Sequence, residues 1–278
     1  MQEAEQITLG HMPWDENAAD SNLVRVLLED ELGYENVGLK ASGTVPQVFE
    51  GVAAEKADVF MDAWMPNHRQ YVDKTGVRVE AYREPWYVGE TEFGAAVPLH
   101  VKGIKTIRDR KFSEPGMITG IATSAVLMGK TSKNAVPRYD LEFSVAGASP
   151  PAMLIELQKS YTMEEPSVFV AWSPRWMNQE YGFRYLEDPK NALGTPDDPQ
   201  TLHTVAQEGF SEDDPAAHAL INAMRLDEEQ MGSLEVAIND ATDAKMEAER
   251  GARDWLDDPA NREAVRPWIQ AARRTEEG

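Results

Sequence analysis

Apolar positions along the chain recur with two periods. From Ser21 to Tyr34, SNLVRVLLEDELGY puts Leu23, Leu27, Leu28 and Leu32 on one helical face, with Ser21 as the expected cap and Gly33 as the stop. Short runs without that spacing flank it: ITLG from Ile7, VGLKAS from Val37 and ADVFMDAW from Ala57. These predict strands. VPQVFEGVAAEKA, between the last two, predicts a second helix with Pro46 in its first turn. Strand, helix, strand, helix, strand is the order of an α/β fold with a parallel sheet.

The order then starts again. EFGAAVP predicts a crossing strand and KGIKTIRDRKF a helical connection, followed by MITGIAT as a strand. TSAVLMGKTSKNAVPRY predicts a helix that stops before Pro137; LEFSVAG is a strand, PPAMLIELQKSYTM a helix with prolines at its start, and SVFVAW a strand. LEDPKNALGTPDDPQ is rich in turn residues, LHTVAQEGF predicts a strand leading back, and the stretch from DDPAAHALINAM to VRPWIQAA reads as helices. The tail RRTEEG alone has a disordered composition. Two similar α/β lobes follow from this pattern, with little residue identity between them: 1–95 as the first part of lobe one, 96–202 as lobe two, and 203–278 as the return strand and helices that complete lobe one.

One element is nearly written twice. VFMDAWMPNH and VFVAWSPRWMN are short apolar runs that each end in tryptophan, one residue and proline. In an open α/β sheet, ligands sit outside the C-terminal ends of the strands. Trp64 and Trp172 both fall at such ends, and Trp14 follows the first strand. Phe93, on the crossing strand, would add a fourth ring. Several rings together make a seat for a quaternary ammonium, which donates no hydrogen bond and is held by ring faces at roughly 0.5–2 kcal/mol each. A tryptophan also serves as plain core packing, the role expected of Trp255 and Trp268.

Charge narrows the partners. Forty-eight Asp and Glu against 27 Lys and Arg give a formal charge of −21, which opposes nucleic-acid binding. No cysteine is present, so disulfides, thiolate zinc sites and cysteine nucleophiles are excluded, and the five histidines form no cluster. No cofactor or metal is expected. No carboxylate pair sits on matching strand ends, and no nucleophile elbow, P-loop or HExxH element occurs, so an enzyme, including a glycoside hydrolase, is disfavoured. A carbohydrate-binding protein would need planar polar partners around each ring. No apolar run approaches the roughly 20 residues of a membrane span.

ADVFMDAWMPNH and FVAWSPRWMNQEYGFRYLEDPKN resemble the substrate-binding proteins of glycine betaine, choline and proline betaine ABC importers, over most of the chain from about Trp14 onward. The resemblance implies a two-lobed type II periplasmic-binding-protein fold, with a ligand cleft between the lobes that closes on a trimethylammonium head. It implies ligand-binding roles for Trp64 and Trp172, and makes Trp14 and Phe93 candidates for rings used in the choline-binding branch. An ABC transporter permease as partner, a monomer, and a periplasmic or cell-surface location with its signal or anchor outside this sequence are implied as well. Many relatives carry His after the second Trp-x-Pro, where this chain has Arg175. A guanidinium suits a carboxylate, which favours glycine betaine. Glu16, two residues after Trp14, favours choline instead; carnitine and trimethylamine oxide stay open. Arg175 as a surface ion-pair partner and Glu16 as a solvated loop residue are the plainer alternatives, and His68 is expected as a turn residue.

Overall fold

The computed structural model of the protein describes residues 7–109, 116–193, 199–243 and 246–276. Ten strands are present among them: β1 Ile7–His11, β2 Val37–Ala41, β3 Val59–Met65, β4 Val79–Ala81, β5 Glu92–Pro98, β6 Gly116–Thr119, β7 Phe143–Ala146, β8 Val168–Ser173, β9 Phe183–Tyr185 and β10 Thr201–Gln207. The chain divides into two compact units. Unit 1 comprises Met1–Gly89 with Thr201–Gly278, and unit 2 is Glu90–Gln200.

Each unit is built on one five-stranded sheet, and the two sheets share a topology. In unit 1 the order is β2-β1-β3-β10-β4; in unit 2 it is β7-β6-β8-β5-β9. The first three strands of each run parallel, while the fourth is antiparallel to the central strand and the fifth antiparallel to the fourth. The central strands β3 and β8 are buried at every position. Both faces of such a strand are covered by other layers, which is why VFMDAWM and VFVAWS read as runs and not as alternations. The crossing strands β5 and β10 were legible in EFGAAVP and LHTVAQ; the three-residue edge strands β4 and β9 were not.

Several local expectations are corrected. The first helix is Asp15–Leu32, seven residues longer at its start than Ser21 as its cap implied. Trp14 occupies the N-cap position without a side-chain cap, Asp15 and Glu16 stand in the first turn where acids suit the helix dipole, and Asn17 Oδ1 accepts the Met12 N–H at 2.7 Å. Ser21 lies buried inside the helix, its hydroxyl donating to Asp20. Gly33 does end the helix, at φ 76°. Residues 102–109 of the expected helical connection are not helical; Asp109 Oδ2 instead accepts the N–H groups of Lys105 and Thr106, and residues 110–112 lie outside the described residues. The helix from Val126 does not stop before Pro137: a π-helical turn at Thr131–Ala135 carries it into Val136–Tyr139, with the proline just after that turn. The C-terminal helix Pro259–Glu276 includes most of the charged tail, and residues 194–198 of the turn-rich stretch lie outside the described residues.

Candidate functional site

Unit 1 gathers Trp14, Glu16, Trp64 and His68. Trp64 sits near the C-terminal end of β3, level with Leu202 on β10, and is 7% exposed. The chain turns back at once: the His68 N–H donates to Trp64 O at 2.7 Å, and the Trp64 N–H donates to His68 Nδ1 at 3.1 Å. His68 is thus the turn residue expected, but a buried one. Its ring stacks against Trp14 at 6.2 Å and 27°, and meets Phe49 and Tyr71 edge-on at 5.6 and 5.9 Å. Burial pushes its pKa down to about 3, so the imidazole is neutral at physiological pH and its Nδ1 is free of a proton to accept. One side chain therefore fixes the backbone of one candidate tryptophan and the ring of another. Glu16 is 2% exposed in the first helical turn, so it is neither solvated nor in a loop.

The same unit holds carboxyl groups that sequence analysis passed over. Asp62, in β3 two residues before Trp64, is fully buried, and so is Asp20, one turn after Glu16. Burial raises the pKa of both well above the usual carboxylate range; for Asp62 the charges of Glu16, Asp20 and Glu235 add to the effect, and for Asp20 that of Glu16 does. The sequence did carry one signal, an aspartate inside a seven-residue run that is otherwise apolar.

Unit 2 gathers Trp172, Phe93 and Arg175. Phe93 on β5 is the register partner of Trp172 on β8, and the two are 7% and 4% exposed. The Arg175 guanidinium carbon stands 4.2 Å from the centre of the Trp172 ring, and the residue is 3% exposed, so it is no surface ion-pair partner. Lys130 Nζ lies 5.0 Å from the Phe93 ring centre. Asn178 Nδ2 donates to Trp172 O at 2.8 Å, which ties the turn after the tryptophan as His68 ties the one after Trp64. The peptide bond before proline is cis in both Trp-x-Pro elements. Arg175 also acts on the buried Tyr185 hydroxyl, whose pKa burial pushes up.

The two units therefore repeat one local arrangement. Each has a tryptophan at the end of the central strand, a neighbour across the antiparallel crossing strand, and a polar side chain closing the turn. Their polar groups differ in kind: unit 1 buries carboxyl groups on the helix and strand that carry its tryptophans, and unit 2 sets a guanidinium on its ring. Among the described residues no group of three or more His, Cys, Asp or Glu is placed to hold a metal ion, and no helix is long and apolar enough to cross a membrane.

Tryptophans at the ends of parallel strands, in two separate sheets of the same topology that each carry an antiparallel crossing strand, define a solute-binding protein of the two-unit α/β kind. Residues 5–258 match the substrate-binding domain of ABC-type glycine betaine transport systems, and the chain belongs to that family. It is a substrate-binding domain and not an enzyme. The glycine betaine/carnitine transport binding protein of Listeria monocytogenes is 29% identical over 162 residues, 57% of this chain and 51% of its own length. The chain thus spans about half the length of that curated relative. Among solved structures, lactococcal OpuAC, in a closed conformation with glycine betaine, covers 96% of this chain and 100% of its own at a TM-score of 0.83 and 24% identity. A choline-binding protein in complex with choline covers 95% and 91% at 0.80 and 21%, and ProX of Borrelia burgdorferi covers 96% and 99% at 0.80 and 20%. At these identities the likeness is one of fold, and it bears out the two-lobed architecture expected from the tryptophan segments.

Proposed function

We propose that this domain captures a quaternary ammonium compound, glycine betaine first among them, outside the cytoplasm, at the periplasmic or cell-surface side, and delivers it to the permease of an ABC importer. The family supports the transport role. The observation that carries the ligand choice is the buried Arg175 stacked on Trp172, a guanidinium suited to a betaine's carboxylate. A betaine has both signs. Its trimethylammonium head is suited to tryptophan rings, where cation–π attraction is strengthened by desolvation, and its carboxylate to the Arg175 guanidinium. Phe93 adds apolar surface beside Trp172.

Choline is the second reading, favoured by the buried Glu16 beside Trp14, since a hydroxyl can donate to that carboxylate and offers Arg175 only a neutral acceptor in place of a carboxylate. Calorimetric titration of the parent with glycine betaine, choline, carnitine, proline betaine, trimethylamine oxide and a sugar panel tests the class. Arg175→Ala and Glu16→Gln, each titrated with glycine betaine and choline, test the choice. A charge-assisted hydrogen bond is worth roughly 1.5–3 kcal/mol, so Arg175→Ala should weaken betaine binding by about tenfold or more and leave choline nearly unchanged. Equal and small effects in all four titrations would remove both residues from the ligand, and binding of sugars alone would overturn the reading.

A further inference from the structure

Unit 1 contains four buried acids and, among its described residues, no buried lysine or arginine. Glu16, Asp20, Asp62 and Glu235 are each at most 2% exposed. They come from three elements: Glu16 and Asp20 from one face of the helix Asp15–Leu32, Asp62 from β3, and Glu235 from the helix Glu228–Asp243. Asp62 owes its direction to a bulge. Ala63 pairs with His203 and Phe60 with Val205, so Met61 and Asp62 together stand opposite Thr204. An extra residue resets the alternation of a strand and re-aims a side chain. Phe60 accordingly packs on Phe49 of the helix Val45–Ala53, while Asp62 lies within the field of the acids on the first helix.

Asp62 is also short of donors. Neither of its oxygens has a hydrogen-bond partner among the described residues, and the nearby Trp64 indole favours its charged form by less than Glu16 or Asp20 opposes it. Asp20 is better served at Oδ1, which accepts from Asn17 Nδ2 and Ser21 Oγ at 2.9 Å each, but Oδ2 has no partner. Among the described residues no base offsets these groups. His68 is neutral, and burial lowers the pKa of His11 on β1. On β10, His203 bonds Tyr82 O and Thr201, and Glu50 on the helix Val45–Ala53 is exposed. A buried carboxyl without donors or a counter-charge keeps its proton.

A quaternary ammonium has no proton to lose, and its charge is fixed at any pH. We propose that Asp62, with Asp20, is a specificity-determining counter-charge of the unit 1 half-site: it is protonated in the free protein, and a quaternary ammonium seated on Trp14 and Trp64 displaces its proton to the solvent. This rests on the reading of the ligand given above. The exchange is balanced, one ligand cation in for one proton out to bulk water, and it favours cations over neutral solutes of the same shape.

Glycine betaine is titrated into the parent protein at about pH 7.5 in phosphate and in Tris, which differ in ionisation enthalpy, and its affinity is followed from pH 5 to 8. The expected result is a heat that differs between buffers by the released proton, and an affinity that rises with pH by up to about tenfold per unit while the group titrates. In Asp62→Asn the buffer dependence and the pH slope should both shrink toward zero while binding persists. Infrared difference spectra of the parent, with and without glycine betaine, should show loss of a protonated-carboxyl C=O band, a measurement that needs no variant to fold. Equal observed heats in the two buffers with an unchanged carboxyl band overturn the proposal, and so does a proton release that survives in both Asp62→Asn and Asp20→Asn. Absence of heat with every quaternary amine would instead defeat the ligand reading itself.

Discussion

His68→Phe separates what the imidazole does as a ring from what it does as an acceptor. Phenylalanine keeps an aromatic plane against Trp14, Phe49 and Tyr71, and loses Nδ1, which now accepts the Trp64 N–H at 3.1 Å. A buried N–H left without its partner costs about 1–3 kcal/mol, so the variant should be less stable than the parent at pH 7. For a unit of about 170 residues this is a Tm lower by about 2–4 °C per kcal/mol. The pH dependence runs the other way. His68 has its pKa lowered by burial from 6.5 to about 3, so the unfolded chain takes up a proton below pH 6.5 that the folded one refuses until about pH 3. Stability linked to this group is intact above pH 6.5 and is lost as pH falls, by about 2 kcal/mol at pH 5 and of the order of 4 kcal/mol by pH 3.

Phenylalanine has nothing to protonate, so the variant escapes that loss. The two stability curves should cross near pH 5, with the parent above at neutral pH and the variant above in acid. Asp20 and Asp62 act in the opposite sense, since a raised carboxyl pKa makes stability fall as pH rises above the normal range, but both proteins share them and the difference cancels. The assay is urea unfolding of both proteins from pH 4 to 8, followed by tryptophan fluorescence, with the transition of unit 2 as internal control. Parallel curves over the whole range would refute a neutral, buried His68. Glycine betaine affinity at pH 7 should also fall in the variant, because the Trp64 turn loses its tie.

Trp64→Ala should weaken quaternary amine binding by roughly 2 kcal/mol or more, read by calorimetry, with Trp64→Phe weakened less; unchanged affinity in Trp64→Ala would take this ring out of the site. Trp172→Ala removes the platform under Arg175 as well as a ring, so Trp172→Ala and Arg175→Ala should be strongly non-additive for glycine betaine in a double-mutant cycle, and additive losses would mean the stack is irrelevant to binding. Gly251→Ala should destabilise unit 1 by about 1–3 kcal/mol without touching ligand selectivity, because the new Cβ would lie 2.4 Å from Ala237 O and 2.6 Å from Ile238 Cα on the neighbouring helix. Denaturant melts check it, and a neutral result would mean that these two helices part easily.

Local pattern made most of the scaffold legible. Strands β1, β3, β5, β8 and β10 and the helix after Ser149 announce themselves by composition and caps, and the doubled Trp-x-Pro element pointed to both candidate tryptophans and to the family. The failures have physical causes. Ser21 looked like a cap because serine usually is one, yet the helix begins at Asp15 with an Asn17 side chain reaching back to Met12, a bond that spacing does not reveal. β4 and β9 are three residues long and owe their strand character to pairing with β10 and β5, not to their own sequence. Arg175 could be placed near Trp172 by number but not stacked on it, since two residues past a strand end a side chain can point either way.

The deepest miss is the acid cluster, and it shows what a one-dimensional pattern leaves out. Asp62 breaks the apolar rule of β3, while Asp20 and Glu235 each sit in a helix where an acid draws no notice. Their common burial requires the first helix, a bulge in β3 against Thr204, and a helix nearly two hundred residues later in the chain. Packing alone gives no reason to keep such a group, because a well-packed apolar residue at position 62 would be at least as stable as a carboxyl without donors. A local rule broken with no structural return marks a place shaped for something else. Here the break falls two residues before the tryptophan that the duplicated element singled out, on the same strand and beside rings suited to a cation. Its stability cost in the empty protein is what a charge-selective site would require: an acid that is poorly solvated until a cation arrives.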